Sequence, residues 1–320
     1  MSKIKIEPIK HPDKIINYWK KEKLVVTFII LFGLSFNIGM ILGPIYQGKL
    51  IDAMVQEQPF SAITRLAVTF VLLILAVQIL RYYKRFYIRR FANSTSATMR
   101  FMIYNTILHK SAKELNQEVT GDLMTKAISD VELCVEGMRK FTTEIFDTGV
   151  LMVTYLITLL IYDVKITVIS IIFIPVAMIL AEKLKSIIYK YSIDYRKKSS
   201  QVTDLTYDRV ENAMLYRVNG LDSDMKNKYK EHLSELEEKA IKANVLENSM
   251  QPIYNVIAMV GIITVIYLGG TKVIENGWTV GNFTTYITIF IAMAAKASKA
   301  SKLFNSVQKS QVSWKRIKPY

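Results

Sequence analysis

The stretch "LVVTFIILFGLSFNIGMILGPI", residues 24–45, is mostly apolar and contains no charged side chain. A helix rises ~1.5 Å per residue, so a run of this length spans the ~30 Å hydrocarbon core of a bilayer. The run is too long for the apolar core of a cleaved signal peptide, and no small-residue cleavage site follows it. We therefore expect it to remain in the mature protein as a membrane-spanning helix.

Further apolar runs repeat this pattern along the chain. They lie at residues 61–80, 145–162, 166–181, 252–270 and 280–295. With residues 24–45 counted as the first run, the fourth (166–181) and the sixth (280–295) are short for a full span. The sequence predicts an all-α, multi-pass membrane protein with six transmembrane helices.

The charge of the chain is distributed unevenly around these runs. The 320 residues are 51% hydrophobic, yet the net charge is +15. If the runs span a membrane, 38 of the 42 Lys and Arg residues fall on one side, which we call the basic side, and only Lys49, Arg65, Lys165 and Lys272 fall on the other. By the positive-inside rule both termini and two long connections are predicted to be cytoplasmic. The positive charge then marks topology, which argues against nucleic-acid binding.

The two long connections on the basic side, residues 81–144 and 182–251, contain few helix breakers. No glycine occurs between Gly48 and Gly121, and no proline between Pro59 and Pro175. Glycine and proline are the least favourable residues in a helix, so the membrane helices are predicted to continue beyond the bilayer. As one helix, residues 61–110 would measure roughly 75 Å, of which some 40 Å would project from the membrane.

Each long connection must reverse direction, and Gly121 and Gly220 lie near the expected turning points. Gly121 belongs to "VTGDLMTKAISDVE", residues 119–132, and is predicted to adopt a tight or positive-φ backbone. Thr120 and Asp122 are predicted to begin the returning helix, and Asp130 to make a polar contact inside the bundle. From the residues alone, the turn is either a docking point for a soluble partner or a solvated bend.

Residues for catalysis or metal binding are sparse. The chain has a single cysteine, Cys134, and three histidines, none of them in an HExxH pattern: His11, His109 and His232. No Ser-His-Asp or Cys-His arrangement is evident, and we expect neither a metal site nor a catalytic site. Two alternatives stay open. One is a membrane sensor or scaffold, and the other is an intramembrane hydrolase using Glu144 and Asp147, which are spaced i, i+3.

Three segments resemble the transmembrane domain of ABC transporters of the exporter type. The first intracellular loop of that family ends in a pattern close to T-G-[DE]-L-x-[ST]-[RK]-x-x-x-D-[VT], and this sequence matches it at Thr120, Gly121, Asp122, Leu123, Thr125, Lys126, Asp130 and Val131. The segment "NGWTVGNFTTYITIF" resembles the outer turn and sixth helix, with matches at Asn276, Gly277, Thr279, Val280 and Gly281. The end, "SWKRIKPY", resembles the approach to a nucleotide-binding domain, with Arg316 and Ile317 in register.

The resemblance implies a domain organisation. Residues 1–23 would form a basic N-terminal segment, residues 24–303 the six-helix domain, and residues 304–320 the start of a linker. The chain contains no GxxxxGK[ST] phosphate loop, so ATP and Mg²⁺ are expected on an ATP-binding domain that is truncated or on a separate chain, with no cofactor held here. The implied partners are that ABC ATP-binding domain, a second transmembrane domain in a homo- or heterodimer, and the lipid bilayer, with a bacterial plasma membrane as the location.

The resemblance also implies the functional residues. The first coupling helix and following turn would comprise Ala112, Lys113, Glu114, Leu115, Asn116, Gln117, Glu118, Thr120, Gly121, Asp122, Leu123 and Asp130. The second coupling helix would comprise Asn212, Ala213, Met214, Leu215, Tyr216, Arg217 and Val218, although the family more often has Lys-x-Phe near Arg217–Asn219. In such domains the fourth and fifth helices cross to the partner.

Polar groups along the spans are candidates for a transport pathway. Lys296, Lys299 and Lys302 recur every three residues, so they spread over roughly 120° of one side of the sixth helix. Facing a cavity, they would favour anionic or amphipathic cargo, whereas facing lipid they would be snorkelling lysines. Other polar residues within the spans either face the pathway or bond a neighbouring helix: Asn37, Gln78, Thr154, Tyr155 and Asn282. The cargo itself is not evident from the sequence.

Overall fold

The computed structural model describes every residue except 1–8, 10, 112, 114–119 and 320. Within its helices, the side chains of residues 120, 178, 181, 182, 185, 222, 250, 251 and 298–309 are also left undescribed. The described part is helical, and no strand occurs in it. The helices in chain order are α1 (Ile15–Lys21), α2 (Lys23–Val55), α3 (Phe60–His109), α4 (Thr120–Thr125), α5 (Val131–Glu144), α6 (Leu151–Tyr162), α7 (Val164–Ile171), α8 (Phe173–Glu211), α9 (Ala213–Val218), α10 (Asp222–Ile274) and α11 (Val280–Ile317).

Two short π-helical segments join α4, α5 and α6 into one continuous rod. They are π1 (Lys126–Asp130) and π2 (Ile145–Val150). A π-helical turn inserts an extra residue and rotates the side chains that follow, and such turns are often found at functional sites. Neither segment was evident from the sequence.

Four of the described helices are long and apolar enough to cross a membrane, which makes the chain an integral membrane protein. They are Lys23–Val55, Phe60–His109, Gly121–Tyr162 and Ser223–Ile274, and they contain the predicted first, second, third and fifth spans. The sixth predicted span begins α11 and is outside this set of four. The fourth lies mostly in a shorter apolar segment, Val164–Ala177.

The predicted fourth span is interrupted near its middle. α7 ends at Ile171 and α8 begins at Phe173. Pro175, in the first turn of α8, has no amide hydrogen to donate to the carbonyl four residues earlier, at Ile171. The proline therefore interrupts the helical hydrogen bonds near Ile172, where the backbone keeps α-helical dihedral angles.

The described chain divides into two compact units. The first comprises residues 1–167 and 265–320, and the second comprises residues 168–264. In the first unit α2 packs along α3, and α11 packs against both α2 and α5.

The helices α2 and α11 approach each other most closely at two glycines. A Cβ added to Gly48 would lie 2.2 Å from the Thr285 hydroxyl, and one added to Gly281 would lie 2.1 Å from the Gly48 carbonyl oxygen. Both distances are shorter than van der Waals contact, so only glycine fits at either position. Small residues permit this close helix packing inside membranes.

One apolar core of the first unit lies toward the basic side. It joins Tyr18 of α1, Phe91 and Met99 of α3, Val131 of α5 and Ile317 of α11, all of which are buried. The rings of Tyr18 and Trp314 meet edge to face, with their centroids 6.2 Å apart. The start of the described chain and its end are therefore packed into the same core as the returning helix α5.

In the second unit, α8 and the first part of α10 form a hairpin closed by α9. The Thr206 and Tyr229 hydroxyls are 2.8 Å apart, and the Arg209 guanidinium lies 4.8 Å from the centre of the Tyr229 ring. The Lys198 ammonium is buried between Glu235 and His232, 3.0 Å from the His232 Nδ1 atom. These contacts tie the two helices together close to the turn.

Candidate functional site

The first tip is the chain reversal between α3 and α4, residues 110–119. α3 ends at His109, and the returning helix has begun by Thr120. Most of the predicted first coupling helix lies outside the described residues, namely Ala112, Glu114, Leu115, Asn116, Gln117, Glu118 and Val119. Lys113 is described and exposed. The coupling helix at this tip therefore stays a prediction.

Gly121 does not have the positive φ predicted for it. It lies inside α4, and among the described glycines only Gly220 has a positive φ, +66°. A Cβ added at Gly121 would meet no atom within 4 Å, and the Thr125 hydroxyl donates to the Gly121 carbonyl at 2.8 Å. The prediction is wrong because Gly121 already belongs to the returning helix α4.

The second tip, residues 212–220, contains a short helix where one was predicted. α9 runs from Ala213 to Val218. At its end the Leu221 amide donates to the Tyr216 carbonyl at 3.0 Å, and the Gly220 amide donates to the Arg217 carbonyl at 3.2 Å. These two bonds form a Schellman motif, which requires the left-handed backbone that Gly220 adopts.

The second tip presents apolar side chains to solvent. None of the residues of α9 is buried, and Met214, Leu215 and Val218 are 74%, 58% and 79% exposed. The Tyr216 hydroxyl donates to the Asp208 carboxylate at 2.7 Å, which raises the pKa of Tyr216. The Asn212 side-chain amide also donates to Asp208, at 2.8 Å. Asp208 thus contacts the residue that precedes the short helix and Tyr216 within it, while the apolar side chains of the helix stay uncovered.

A group of four side chains links the turn after the first tip to the end of α11. We call Arg316, Asp122, Asp130 and Ser313 the Arg316 clamp. Arg316 Nη2 lies 2.6 Å from Asp122 Oδ1, and Arg316 Nη1 lies 3.0 Å from Asp130 Oδ2. The Ser313 hydroxyl donates to Asp130 Oδ1 at 3.1 Å. The guanidinium therefore bridges two carboxylates that both belong to the family pattern.

The two carboxylates of the clamp differ in burial. Asp130 is 4% exposed and accepts the hydrogen bond from Ser313, which confirms its predicted polar contact inside the bundle. Asp122 lies near the surface, where a hydrogen bond from Lys126 and the charges of Lys126 and Arg316 lower its pKa. One arginine thus neutralises a buried charge and also holds an accessible one.

The contact between α5 and α11 continues away from the clamp. The Ser310 hydroxyl donates to the Cys134 carbonyl at 3.0 Å. A Cβ added at Gly137 would lie 2.1 Å from the Ser310 Cβ, so the two helices touch there. Ile317 is buried in the core, so the end of α11 contacts α5 both at Ser310 and at Ile317.

A buried ion pair lies where the third span begins. Lys84 of α3 is fully buried and pairs with Asp147 of π2, and its ammonium lies 3.9 Å from the centre of the Phe36 ring. Glu144 instead accepts a hydrogen bond from the Thr148 hydroxyl at 2.6 Å. Glu144 and Asp147 therefore contact different partners and do not form the paired carboxylates that an intramembrane hydrolase would need.

On the opposite end of the first unit, Asp52 of α2 caps the start of α11. Its carboxylate accepts from the Gly281 amide and the Thr279 hydroxyl, both at 2.7 Å. Thr279 also caps α11 itself by accepting from the Asn282 amide at 3.0 Å. Asp163 pairs with Lys272 beside this junction. The segment that resembles the family's outer turn is thus held by a carboxylate of α2, that of Asp52.

The candidate pathway residues are in several environments. Lys296 is half-buried, while the side chains of Lys299 and Lys302 lie outside the described set. Asn37 is 1% exposed and makes no hydrogen bond to the described residues through either amide atom. The other polar residues within the spans are buried (Tyr155), partly buried (Thr154 and Asn282) or exposed (Gln78). Within the described residues, no three His, Cys, Asp or Glu side chains could together hold a metal ion.

The sequence predicted which residues form the tips, and their role in coupling stays a prediction; it did not predict the contacts of Arg316 and Lys84. It placed Arg316 only on the path toward the next domain, and it did not single out Lys84 at all. Arg316 and Lys84 are charged residues within long helices, and each pairs with a carboxylate from another segment of the chain. A charge within or beside an apolar run indicates such a partner, although the sequence does not say which one.

The family described as the ABC transporter transmembrane region matches residues 26–295. The multidrug resistance-like ATP-binding protein MdlA of Buchnera aphidicola subsp. Baizongia pistaciae is 22% identical over 303 residues, which are 94% of this chain and 52% of that protein. The ATP-dependent lipid A-core flippase of Desulfotalea psychrophila is 21% identical, over 92% of this chain and 51% of that protein. The putative multidrug export ATP-binding/permease protein YgaD of Bacillus subtilis is 22% identical, over 87% and 49%. The chain therefore spans about half the length of these curated relatives.

Proposed function

The chain belongs to the ABC transporter transmembrane family, and from this premise we propose that it forms the cargo pathway of an ATP-driven exporter. In this proposal it pairs with a second transmembrane domain. ABC ATP-binding domains, which hold ATP and Mg²⁺, dock on its two tips and move them. The chain itself carries out no covalent chemistry.

The exposed apolar surface of α9 is the observation that carries this proposal. Met214, Leu215 and Val218 are more than half exposed on a helix of six residues, far along the chain from any predicted span. Isolated apolar residues on a surface need no explanation, but a cluster at the tip of a long projection is typical of a protein-binding site. Since Gly220 and Asp208 hold the helix in shape without a partner, binding would require little ordering of the chain.

The Arg316 clamp supplies a mechanical connection for the first tip. A displacement of α4 acts on Asp122 and Asp130, and through Arg316 it acts directly on α11. The resemblance implies that an ATP-binding domain follows the end of α11. A movement of that domain would then reach the first tip in two ways: through the surface on which the domain docks, and through α11 and the Arg316 clamp.

The division into two units supports the expected exchange of helices between partners. The second unit contains α8, α9 and most of α10, the elements around the fourth and fifth predicted spans. In the proposed dimer these elements would contact the other transmembrane domain and its ATP-binding domain. The basic side would face the cytoplasm of a bacterial cell, with both termini inside.

The cargo we propose is amphipathic, with an anionic or polar head. The names of two relatives refer to multidrug export and to a lipid A-core flippase. Buried Asn37 offers an amide with unused donors and acceptors, and Lys296 offers a cationic group farther toward the basic side. These groups would bind the polar part of the cargo while the apolar spans accommodate the rest.

Reconstitution with ATP-binding domains tests the proposal. The chain, co-expressed with those domains, is placed in proteoliposomes, and cargo-stimulated ATP hydrolysis is measured together with the movement of a fluorescent lipid-like probe. We expect both activities to depend on the chain. ATP turnover or binding of a soluble partner without transport would favour the sensor or scaffold alternative.

Cysteine cross-linking locates the docking surfaces in the same preparation. Cys134 is buried, so Cys134→Ser provides a background without reactive thiols. Leu115→Cys and Asn116→Cys at the first tip, and Met214→Cys at the second, should cross-link to the ATP-binding domain. Lys226→Cys, which is exposed on α10 beyond the tip, serves as the control position. Full transport with no cross-link from any tip position would exclude the coupling role of the tips.

A further inference from the structure

Three arginines follow one another along α3 immediately after the second predicted span. Arg81, Arg85 and Arg89 are each four residues apart, which places them about 6 Å apart along the helix axis with a gradual turn of about 40° per step. We call them the arginine row. Tyr82 and Phe86 lie next to the row on the same helix, 65% and 43% exposed, with their ring centroids 6.5 Å apart.

The guanidinium groups of the arginine row offer more hydrogen-bond donors than the described residues around them offer acceptors. None of its three guanidinium groups makes an ion pair with any residue that the structure describes. Arg81 Nε is buried without an acceptor, and Arg85 and Arg89 are exposed. The Asp147 carboxylate nearby is already taken by Lys84. The exposed guanidinium groups of Arg85 and Arg89 are the accessible donors of the row, so an anionic acceptor from outside the chain would stabilise this surface.

The position of the row indicates where that acceptor comes from. The apolar run ends at Leu80, so the arginines begin where the hydrocarbon core of the bilayer ends. Exposed Tyr and Phe rings beside them are suited to the headgroup layer, as in the aromatic belts of membrane proteins. Exposed rings flanked by cations can contact two parts of a lipid: the rings contact the acyl chains near the headgroups, and the cations contact the phosphates.

We propose that the arginine row binds the phosphate groups of anionic phospholipids in the leaflet on the basic side, with Tyr82 and Phe86 against the adjoining acyl chains. Arginine offers two parallel N–H donors to a phosphate, which lysine does not. A second copy of this chain is a poorer occupant, because it would bring like charges together. The inference depends on the membrane spans but not on transport, so it can hold even if the proposed function fails.

Native mass spectrometry of the purified full chain in detergent tests the proposal by counting bound lipids. Phosphatidylglycerol is titrated against phosphatidylcholine for the unchanged protein and for a variant with Arg81→Gln, Arg85→Gln and Arg89→Gln. The matched control carries Lys226→Gln, Lys228→Gln and Lys230→Gln, which removes the same charge from exposed positions on α10. A double variant, Arg85→Gln with Arg89→Gln, leaves the partly buried Arg81 intact in case the triple variant does not fold.

We expect phosphatidylglycerol affinity to fall about fivefold for each arginine removed, while phosphatidylcholine binding and the lysine control stay unchanged. A variant with lysine at all three positions should keep part of the affinity, because it keeps the charge but loses the paired donors. Inorganic phosphate at millimolar concentration should not displace the lipid, since it lacks the acyl chains that contact the rings. Equal loss in the lysine control, unchanged affinity in the triple and double variants, or a change of oligomeric state in place of lipid loss would overturn the proposal.

Discussion

Arg316, near the end of the last helix, contacts Asp122, in the first turn of α4, at 2.6 Å across 194 residues of sequence. The same guanidinium neutralises buried Asp130. The contact joins the two family segments that the sequence shows far apart. It gives the turn after the first tip a specific mechanical role, since the helix that begins there cannot move freely from the end of α11.

Replacing Arg316 with Gln should destabilise the protein by about 3 kcal/mol, because it leaves the buried Asp130 carboxylate without its cation. Adding Asp130→Asn should recover most of that loss, since no buried charge is then unpaired. Thermal unfolding in detergent measures both. Transport per ATP hydrolysed should stay low in the double variant, because the bridge to Asp122 is still absent. If the double variant couples normally, the clamp is only structural.

The two tip glycines should respond differently to valine. Gly220→Val should cost about 1 to 3 kcal/mol locally, since a β-branched residue does not tolerate φ of +66°. Gly121→Val should cost much less, because Gly121 is helical and open to solvent. Hydrogen exchange of α9 and α4 compares the local effects. We expect amide protection to fall more in α9 of Gly220→Val than in α4 of Gly121→Val. An equal loss of protection in the two variants would contradict the assignment of Gly220 as the strained position.

The Lys84–Asp147 pair should tolerate double replacement better than single. Lys84→Met leaves the Asp147 carboxylate in an apolar setting and should destabilise by about 3 to 5 kcal/mol, while Lys84→Met with Asp147→Leu should be close to neutral. A double-mutant cycle on thermal unfolding gives the coupling. Additive effects would mean that the two groups do not interact in the folded protein.

Asp52→Ala should loosen the junction between α2 and α11. It removes the acceptor for the Gly281 amide and the Thr279 hydroxyl, a capping loss of about 1 kcal/mol. We expect spin labels on the two helices to report a larger population of separated distances. Lys49→Gln, exposed on α2 at the same end, is the matched control and should leave the distances unchanged.

The three lysines of α11 should influence which cargo is transported. Replacing Lys296, Lys299 and Lys302 with Gln should reduce transport of an anionic amphipathic probe several-fold and leave a neutral probe less affected. Transport rates of the two probes in proteoliposomes show whether the lysines line the cargo pathway or only anchor the helix at the bilayer surface. Unchanged transport of both would show that these lysines only anchor the helix at the bilayer surface.

The long helices were predictable because their evidence is local. The absence of Gly and Pro from residues 60–109 indicated one helix, and α3 occupies Phe60–His109. The break near Ile172 was missed because hydropathy does not register the missing amide of Pro175. Gly121 was misassigned because a glycine near an expected turn was taken as part of the turn, whereas the returning helix already includes it. The Arg316 clamp was not predictable, since it depends on packing between segments that nothing in the local pattern connects.

The unbroken length of α3 has a consequence for how far a movement at the tip travels. About 30 residues lie between Leu80 and His109, a lever arm of roughly 44 Å, while the part within the bilayer measures roughly 30 Å. The Lys84–Asp147 pair anchors the helix near the junction of the two arms and can serve as a fulcrum. Measured from Lys84, the arms to His109 and to Phe60 are about 38 Å and about 36 Å long. A tilt that displaces the tip by about 3 Å would therefore swing the outer end by about 3 Å in the opposite direction, enough to change the fit of the helix ends there.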